Sequence, residues 1–325
     1  MNSSNQFETK VNAWGKVGKY FVIYLDVQGV REILFKDIDV HSGLVSTEKQ
    51  TEVAHFSDAL RTFFCGIAEA VSFVWTRPED YRDYLLEGVP AALRRDAEAR
   101  VFAEIRNLHV GVQQFSDSTL IFVRDEGRVS RIFFEQCMVR CAYEMVKVMG
   151  RGLYMRGALS YGTGWEVMSN CLFGPIVQEV YELEQHVANT FRVVMTPQFY
   201  QVVREELGML AAGGADMTKP YPFKMIGRDP DGVLSFDYLS EVALENFKRY
   251  GSVALKVAGE NVANAFSRIA ERHRKLLDEV DSDQRKSRLV VKYAMYMSYL
   301  ESRFKNFEAY GARFVKDTQL DGGVK

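Results

Sequence analysis

The sequence predicts an α+β protein, and three observations support this fold class. Residues 20–25 form a short run of aromatic and β-branched residues, which is typical of a buried strand. Two more such runs, 109–115 and 118–124, are separated only by Ser116 and Asp117, which predicts a β-hairpin. From about residue 240 the apolar residues follow long helical periods instead. The chain therefore combines a sheet of short strands with substantial helix.

The elements of the N-terminal part follow the order strand, helix, strand, strand, helix, strand. The first helix is predicted over about 49–75, where Pro78 stops it, and the second over 128–150. A fourth strand is predicted over 153–161. This order is that of the ferredoxin-like βαββαβ unit, an antiparallel sheet with helices on one face. We expect the other face to stay open for a ligand or a partner.

The remaining segments divide the chain into two parts at about residue 240. A charge-rich stretch over about 77–106, interrupted by Pro90, predicts a helical insertion in the first part. Further segments are predicted as helix over 175–188 and 197–207, and as strand over 191–195 and 232–238. Residues 1–240 are thus predicted to form the main domain. Residues 241–325 are predicted to form an extension made of an antiparallel helical pair, joined near Ser282 and Asp283.

The composition excludes several classes of function. The 325 residues include 41 basic and 43 acidic ones, and a net charge of −2 gives no general affinity for nucleic acid or for an anionic membrane. No apolar run is long enough to span a bilayer, and the N-terminus lacks the core of a signal peptide, so we expect a cytoplasmic protein. Only four Cys and five widely spaced His are present, so any metal should be a hard ion held by carboxylates.

Two aspartates stand where this topology can bring them together. Asp26 ends the first strand and Asp117 lies in the hairpin between the second and third strands. In a ferredoxin-like sheet the first and third strands are central neighbours, so both carboxylates are expected at one edge. Such a pair suits Mg²⁺ or Mn²⁺ with a triphosphate, and Gly29 would let backbone amides approach the phosphates. The alternative is that Asp26 caps a turn and Asp117 is an ordinary turn residue.

Four segments in order resemble the class III nucleotidyl cyclases. Residues 25–30 (LDVQGV) are similar to the first metal motif of that family, and residues 115–118 (FSDS) to the hairpin that carries its second metal aspartate. Residues 156–162 (RGALSYG) resemble its next strand, and residues 171–178 (CLFGPIVQ) its closing segment. The resemblance covers residues 20–240. It implies that two Mn²⁺ or Mg²⁺ ions per site are bound by Asp26, Asp117 and the carbonyl of Val27.

The resemblance also implies the residues that contact the nucleotide. The terminal phosphates would be bound by the backbone amides of residues 27–31. This segment includes Val27, Gln28, Gly29 and Val30. At the two positions that select the base, the family's lysine is replaced by Gln113, and its partner is Cys171.

The closing helix departs from the family at two positions. The asparagine that positions the ribose falls on Gln178, and the transition-state arginine falls on Glu182. An acidic residue cannot replace an arginine at a phosphate. Arg192, Lys224 and Arg156 are the candidates to replace it, and Arg192 is the first choice because it follows the 175–188 helix.

One branch resembles this pattern most, the pyrimidine cyclases of bacterial Pycsar anti-phage systems. They keep both metal aspartates and lose the purine-selecting pair. The resemblance implies an enzyme, a phosphorus–oxygen lyase, that converts UTP or CTP to a cyclic nucleotide and pyrophosphate. The product would activate a separate cyclic-nucleotide-sensing effector in antiviral defence. It also implies a homodimer, because in the family each active site is built from two catalytic domains.

UTP is preferred to CTP on the residues present. The amide of Gln113 carries both a donor and an acceptor. No carboxylate stands near either of the two base-selecting positions, Gln113 and Cys171, to accept from the amino group of cytosine. Two alternatives stay open. One is a catalytically weak or dead cyclase-like module that binds nucleotide, favoured by Gln178 and Glu182. The other is a purine cyclase. A diguanylate cyclase or polymerase-palm relative is disfavoured because the chain has no GGDEF-like hairpin.

Overall fold

The computed structural model describes most of the chain. It covers residues 16–28, 46–76, 86, 90–168, 170–188, 190–219, 221–229, 231–247, 252–278 and 287–303. Within these ranges the protein has one mixed sheet with helices packed on it, so the α+β class is confirmed. Parts of the predicted insertion, residues 77–85 and 87–89, and the predicted junction at Ser282 and Asp283 lie outside the described residues.

The elements are numbered along the chain. The strands are β1 (Lys16–Gln28), β2 (Val110–Phe115), β3 (Ser118–Arg124), β4 (Tyr154–Met168), β5 (Cys171–Phe173), β6 (Val193–Met195), β7 (Ile226–Arg228) and β8 (Leu234–Phe236). The helices are α1 (Thr47–Thr76), α2 (Arg94–Asn107), α3 (Arg128–Met149), α4 (Pro175–His186), α5 (Pro197–Ala212), α6 (Glu241–Phe247), α7 (Ser252–Asp278) and α8 (residues 287–303). Short 3₁₀ turns precede α2 and β7.

The strand order in the sheet is β2-β3-β1-β4-β6-β8-β7, with β5 paired to β4 outside this path. The pairs β2–β3, β3–β1 and β1–β4 are all antiparallel, so β1 and β3 are neighbours at the centre. The pairing of β6 with β4 is parallel, which makes the sheet mixed. Strand β4 is longer than predicted, because its pairing with β1 continues past residue 161 as far as Glu166.

Each face of the sheet carries its own apolar layer. Along β1, the side chains of Phe21, Ile23 and Leu25 join the large core formed with α1, α3 and α5. The alternate side chains of β1 pack with Ile176 and Val180 of α4 on the opposite face. The prediction that this second face stays open is therefore wrong, because β1 is apolar on both faces and α4 covers its central part.

The C-terminal helices share the main core. Val262 and Ile269 of α7 and Tyr296 and Leu300 of α8 belong to the same continuous cluster as the strand residues Phe21 and Ile23. Sequence periodicity predicts that this extension is helical, but it does not predict that the helices pack onto the sheet. None of the helices in the described ranges combines the length and the hydrophobicity needed to cross a lipid bilayer.

Gly157 of β4 offers a test of how closely β1 and β4 approach. A Cβ at this position would collide with the backbone carbonyl of Tyr24, which cannot move without disturbing the β1–β4 ladder. We expect Gly157→Ala to lower the free energy of unfolding by about 2 kcal/mol. Urea denaturation checks this, with Gly227→Ala as the control, because a Cβ at Gly227 meets only open space. Equal stability of both variants would contradict the close approach.

Candidate functional site

Asp26 and Asp117 lie side by side at one end of the sheet. Asp26 pairs across the ladder with Ser118, the residue that directly follows Asp117. The N–H of Val27 donates to the carbonyl of Asp117 at 3.2 Å, which ties the hairpin turn to the end of β1. Ser116 adopts a left-handed conformation, with φ of 43°, as a tight two-residue connection requires. The two aspartates are therefore neighbours, although 91 residues separate them in the sequence.

The two aspartates border a cavity of about 720 Å³, the Asp26 cavity. The hairpin, the end of β1, strand β5 and the first three turns of α4 surround it. Its lining residues are Tyr24, Asp26, Phe115, Ser116, Asp117, Ser118, Phe173, Gly174, Val177, Gln178, Tyr181 and Gln185. Helix α4 begins here because Gly174, with φ of 115°, turns the chain and Pro175 starts the helix.

The carboxylate of Asp26 is partly buried and already has polar partners. Its Oδ2 accepts from Nε of Arg156 at 3.3 Å and from Nε2 of Gln28 at 3.1 Å. Burial raises the pKa of Asp26 above its ordinary value, the Arg156 charge opposes this rise, and the nearby Asp117 charge adds to it. The two aspartates thus repel one another, and any cation between them would be favoured.

Glu184 of α4 is a site residue that the sequence reasoning missed. Its fully buried carboxylate forms an ion pair with Nε of Arg156, so the arginine bridges Glu184 and Asp26. One sequence signal was available: Ile176, Val180 and Glu184 are spaced four apart, so Glu184 is an acidic residue within the buried stripe of α4.

Burial raises the pKa of Glu184 to about 7, while Arg156 lowers it and Asp26 raises it further. The folded protein therefore binds a proton here between the ordinary carboxyl pKa of 4.5 and about 7, where the unfolded chain does not. We expect the free energy of unfolding to fall as the pH rises through this window, by up to about 3 kcal/mol. Urea denaturation at pH 5 and pH 8 measures this. Glu184→Gln should flatten the difference, and an unchanged pH dependence in that variant would contradict it.

Gln113 and Cys171, the predicted base-selecting pair, are held close together. Oε1 of Gln113 accepts from the backbone N–H of Leu172 at 3.1 Å, which places β5 against the end of β2. Cys171 is half-buried and is a free thiol. Two residues further along β2, Phe115 lines the Asp26 cavity, as Phe173 of β5 does. The pair therefore stands next to the rim of that cavity.

Gln178 and Glu182, the two positions that differ from the cyclase pattern, contact each other. Nε2 of Gln178 donates to Oε1 of Glu182 at 2.7 Å on the exposed surface of α4. Gln178 also lines the Asp26 cavity. The structure thus brings Gln178 to the predicted site. Its amide is already hydrogen-bonded to the carboxylate of Glu182.

Arg192 and Lys224 lie away from the Asp26 cavity. Nη1 of Arg192 forms ion pairs with Asp229 at 3.0 Å and Asp231 at 2.7 Å, in a different cavity. Nζ of Lys224 donates to the backbone carbonyls of Met217 and, at 2.9 Å, Lys219. Of the three cations proposed from the sequence, Arg156 is the one whose side chain contacts Asp26.

The predicted phosphate cradle is only partly described. The N–H of Val27 is donated to Asp117 and is thus used within the fold. The side chain of Gln28 is bonded to Asp26. Gly29 and Val30 lie outside the described residues.

The two carboxylates fit a hard divalent ion that takes its remaining ligands from water and a substrate. Among the residues that the structure describes, no cluster of three or more His, Cys, Asp or Glu could hold a metal by itself. Mg²⁺ commonly takes one or two carboxylates and completes its shell with water and substrate phosphates. Asp26 and Asp117 supply such a pair beside a cavity of sufficient size.

The Asp26 cavity therefore carries two adjacent carboxylates and the amide of Gln178. The partly buried Arg156 contacts Asp26, and Gln113 is hydrogen-bonded to Leu172 near the rim. These groups can bind a divalent ion with a polyanionic ligand. In comparisons with known proteins, no family model, no curated protein and no solved structure matches this chain.

Proposed function

We propose that this chain is a nucleotidyl cyclase that converts a pyrimidine nucleoside triphosphate, UTP ahead of CTP, to its 3′,5′-cyclic nucleotide and pyrophosphate. The observation that carries the proposal is the placement of Asp26 and Asp117 at the joined ends of β1 and β3, beside the Asp26 cavity. The order of strands β2-β3-β1-β4, all antiparallel, supports the ferredoxin-like core that the resemblance implies.

In the proposed reaction the ribose 3′-oxygen forms a bond to the α-phosphorus, and the bond from that phosphorus to the pyrophosphate oxygen breaks. Asp26, Asp117 and the carbonyl of Val27 would hold Mn²⁺ or Mg²⁺, which when bound lowers the pKa of the hydroxyl and neutralises the leaving charge. Arg156 is the cation best placed to serve the phosphates, because its guanidinium already contacts Asp26. The carboxylate of Glu184 forms an ion pair with the same guanidinium.

A second copy of the chain is proposed to cover the Asp26 cavity. Phe115, Phe173 and Tyr181 border it with side chains 41%, 44% and 53% exposed. Three large exposed apolar side chains around one cavity are unusual for a free surface and favour a protein contact. A homodimer would bury them and complete two equivalent sites.

The orientation of the Gln113 amide supports UTP. Its oxygen accepts from Leu172 N–H, so the amide presents its NH₂ group as the remaining polar end. An NH₂ donor matches a uracil carbonyl oxygen and is mismatched with the amino group of cytosine.

Gln113→Glu should reverse this preference. A carboxylate can still accept from Leu172 N–H, and its second oxygen would accept from the amino group of cytosine. We expect the ratio of cyclic CMP to cyclic UMP to rise about tenfold when both triphosphates are supplied at equal concentration. Gln114→Glu, on the neighbouring exposed residue, is the control. An unchanged product ratio in Gln113→Glu would show that this amide does not read the base.

The function is tested by incubating the purified chain with Mn²⁺ and each of the four NTPs, with products identified by mass spectrometry. We expect cyclic UMP and pyrophosphate as the main products, and light scattering at the working concentration should give the mass of a dimer. Excess cyclic CMP would overturn the choice of UTP, and excess cyclic AMP or GMP would overturn the pyrimidine assignment. A fully active monomer would overturn the shared site. By the resemblance to Pycsar cyclases, the product would act on a separate effector in antiviral defence.

A catalytically inactive nucleotide-binding module is the second candidate. The Gln178–Glu182 hydrogen bond favours it, because the family places a ribose-positioning and a phosphate-stabilising side chain at these two positions. This candidate predicts that UTP binds in the presence of Mn²⁺ without turnover. Calorimetry beside the product assay separates the two.

A further inference from the structure

A second cavity, of about 610 Å³, lies between the β6–β8–β7 edge of the sheet and helix α8. We call it the tyrosine cavity, because Tyr238, Tyr296 and Tyr299 form part of its wall. Its volume is within the range of sites for small organic ligands. None of the described residues lines both this cavity and the Asp26 cavity.

The wall of the tyrosine cavity is aromatic. Tyr296 and Tyr299 stand nearly parallel, with planes 16° apart and ring centroids separated by 6.0 Å. The ring of Phe191 lies 4.8 Å from that of Tyr296. The phenol groups form hydrogen bonds within the protein: the hydroxyls of Tyr238 and Tyr296 bond to each other, and that of Tyr299 donates to Asp237. Phe191, Tyr238 and Tyr296 are buried and Tyr299 is partly exposed, so the ring of Tyr299 is the main aromatic surface that the wall offers to a planar group.

Arginines supply the polar part of the cavity. Arg192 and Arg303 both line it, and in each the Nε–H is buried with no hydrogen-bond partner among the described residues. A buried donor without an acceptor destabilises the fold. The exposed guanidinium of Arg228 stands on the same cavity and donates to the carbonyl of Gly232. Of these three side chains, Arg228 is the exposed one that acceptor oxygens of a ligand can reach, whereas Arg192 is paired with Asp229 and Asp231 and Arg303 with Asp237.

We propose that the tyrosine cavity is a second ligand site, which takes a nucleoside monophosphate, linear or cyclic. The aromatic wall, chiefly Tyr299, would hold the base, and Arg228 would meet the phosphate. The carboxylates of Asp229 and Asp231 are already paired with Arg192, so they oppose an anionic ligand less than free carboxylates would. This inference does not rest on the cyclase assignment, since it concerns binding at a separate place.

Helix α8 connects this cavity with the Asp26 site. Tyr296 and Tyr299 of α8 line the tyrosine cavity, while Lys292 of the same helix stands close enough to Arg156 and Glu184 for both charges to act on it. A ligand that orders α8 would thus also affect Lys292, which lies near the Arg156 bridge between Asp26 and Glu184. Hydrogen exchange should show slower exchange of the amides of 287–303 when the ligand is bound.

The test is calorimetric titration of the full chain in EDTA with UMP, CMP, AMP, GMP and their 3′,5′-cyclic forms, with inorganic phosphate as a further probe. EDTA removes divalent ions, which weakens binding at the Asp26 site. We expect at least one nucleotide to bind, and to bind more tightly than inorganic phosphate. Ser298→Trp should abolish the binding by filling the tyrosine cavity. Gln178→Trp, which fills the Asp26 cavity instead, should leave it unchanged.

Arg228→Glu provides a second variant in case Ser298→Trp fails to fold, since Arg228 is exposed. We expect it to weaken binding about tenfold, the effect of losing one charge-assisted hydrogen bond, and Arg228→Lys to restore most of it. The inference is overturned if none of the nucleotides binds, if phosphate binds as tightly as they do, or if Gln178→Trp removes the binding while Ser298→Trp and Arg228→Glu retain it. None of these results bears on turnover at the Asp26 site.

Discussion

Replacement of Asp26 or Asp117 with alanine is expected to abolish the turnover of UTP. The two carboxylates lie at adjoining ends of β1 and β3, and each is proposed to hold a divalent ion. Loss of one ion should remove several kcal/mol of transition-state stabilisation, which corresponds to a rate reduction on the order of a thousandfold or more. The measurement is the rate of cyclic UMP formation with saturating Mn²⁺.

The fold should survive both substitutions. Arg156 remains paired with Glu184 in Asp26→Ala, so no buried cation is left alone. Circular dichroism and thermal melting check this. Asp216→Ala is a matched control, because the carboxylate of Asp216 is exposed and accepts its hydrogen bonds from Thr218 in its own turn. Near-normal turnover in either Asp26→Ala or Asp117→Ala would refute the two-carboxylate site.

Arg156→Met is expected to destabilise the protein more than any other single change considered. The substitution keeps much of the side-chain volume and removes the charge that Asp26 and the buried Glu184 share. Breaking a buried ion pair by removing one partner costs about 3–5 kcal/mol, because an uncompensated charge stays buried. The loss should be largest at pH 8 and smaller at pH 5, where protonation of Glu184 relieves it.

Urea denaturation of the wild type and Arg156→Met at both pH values measures this loss. Arg61→Met is the matched control, because Arg61 pairs with Asp58 on the surface and both side chains are more than half exposed. Exposed pairs contribute at most about 1 kcal/mol, so Arg61→Met should change stability little. Equal effects of the two substitutions would show that the Arg156 bridge does not stabilise the fold.

The local pattern of the sequence was sufficient for the main elements and for the aspartate pair. The run 118–124 was predicted as a strand and the structure has Ser118–Arg124, and helices α1 and α3 lie within one or two residues of the predicted ends. These elements follow from periodicity, which is a property of neighbouring residues. The proximity of Asp26 and Asp117 followed from the βαββαβ order, because that order makes β1 and β3 neighbours.

Tertiary structure alone decided what surrounds the aspartates. Glu184 lies in an apolar stripe that periodicity assigns to the core, and only packing shows that Arg156 meets it there. The coverage of the second sheet face by α4 depends on how a helix folds back over β1. Arg192 was assigned to the Asp26 edge by its place in the chain, yet its guanidinium pairs with Asp229 and Asp231. A sequence places an arginine on a strand, but the direction of a long, flexible side chain is settled by whichever carboxylates the folded chain brings within reach.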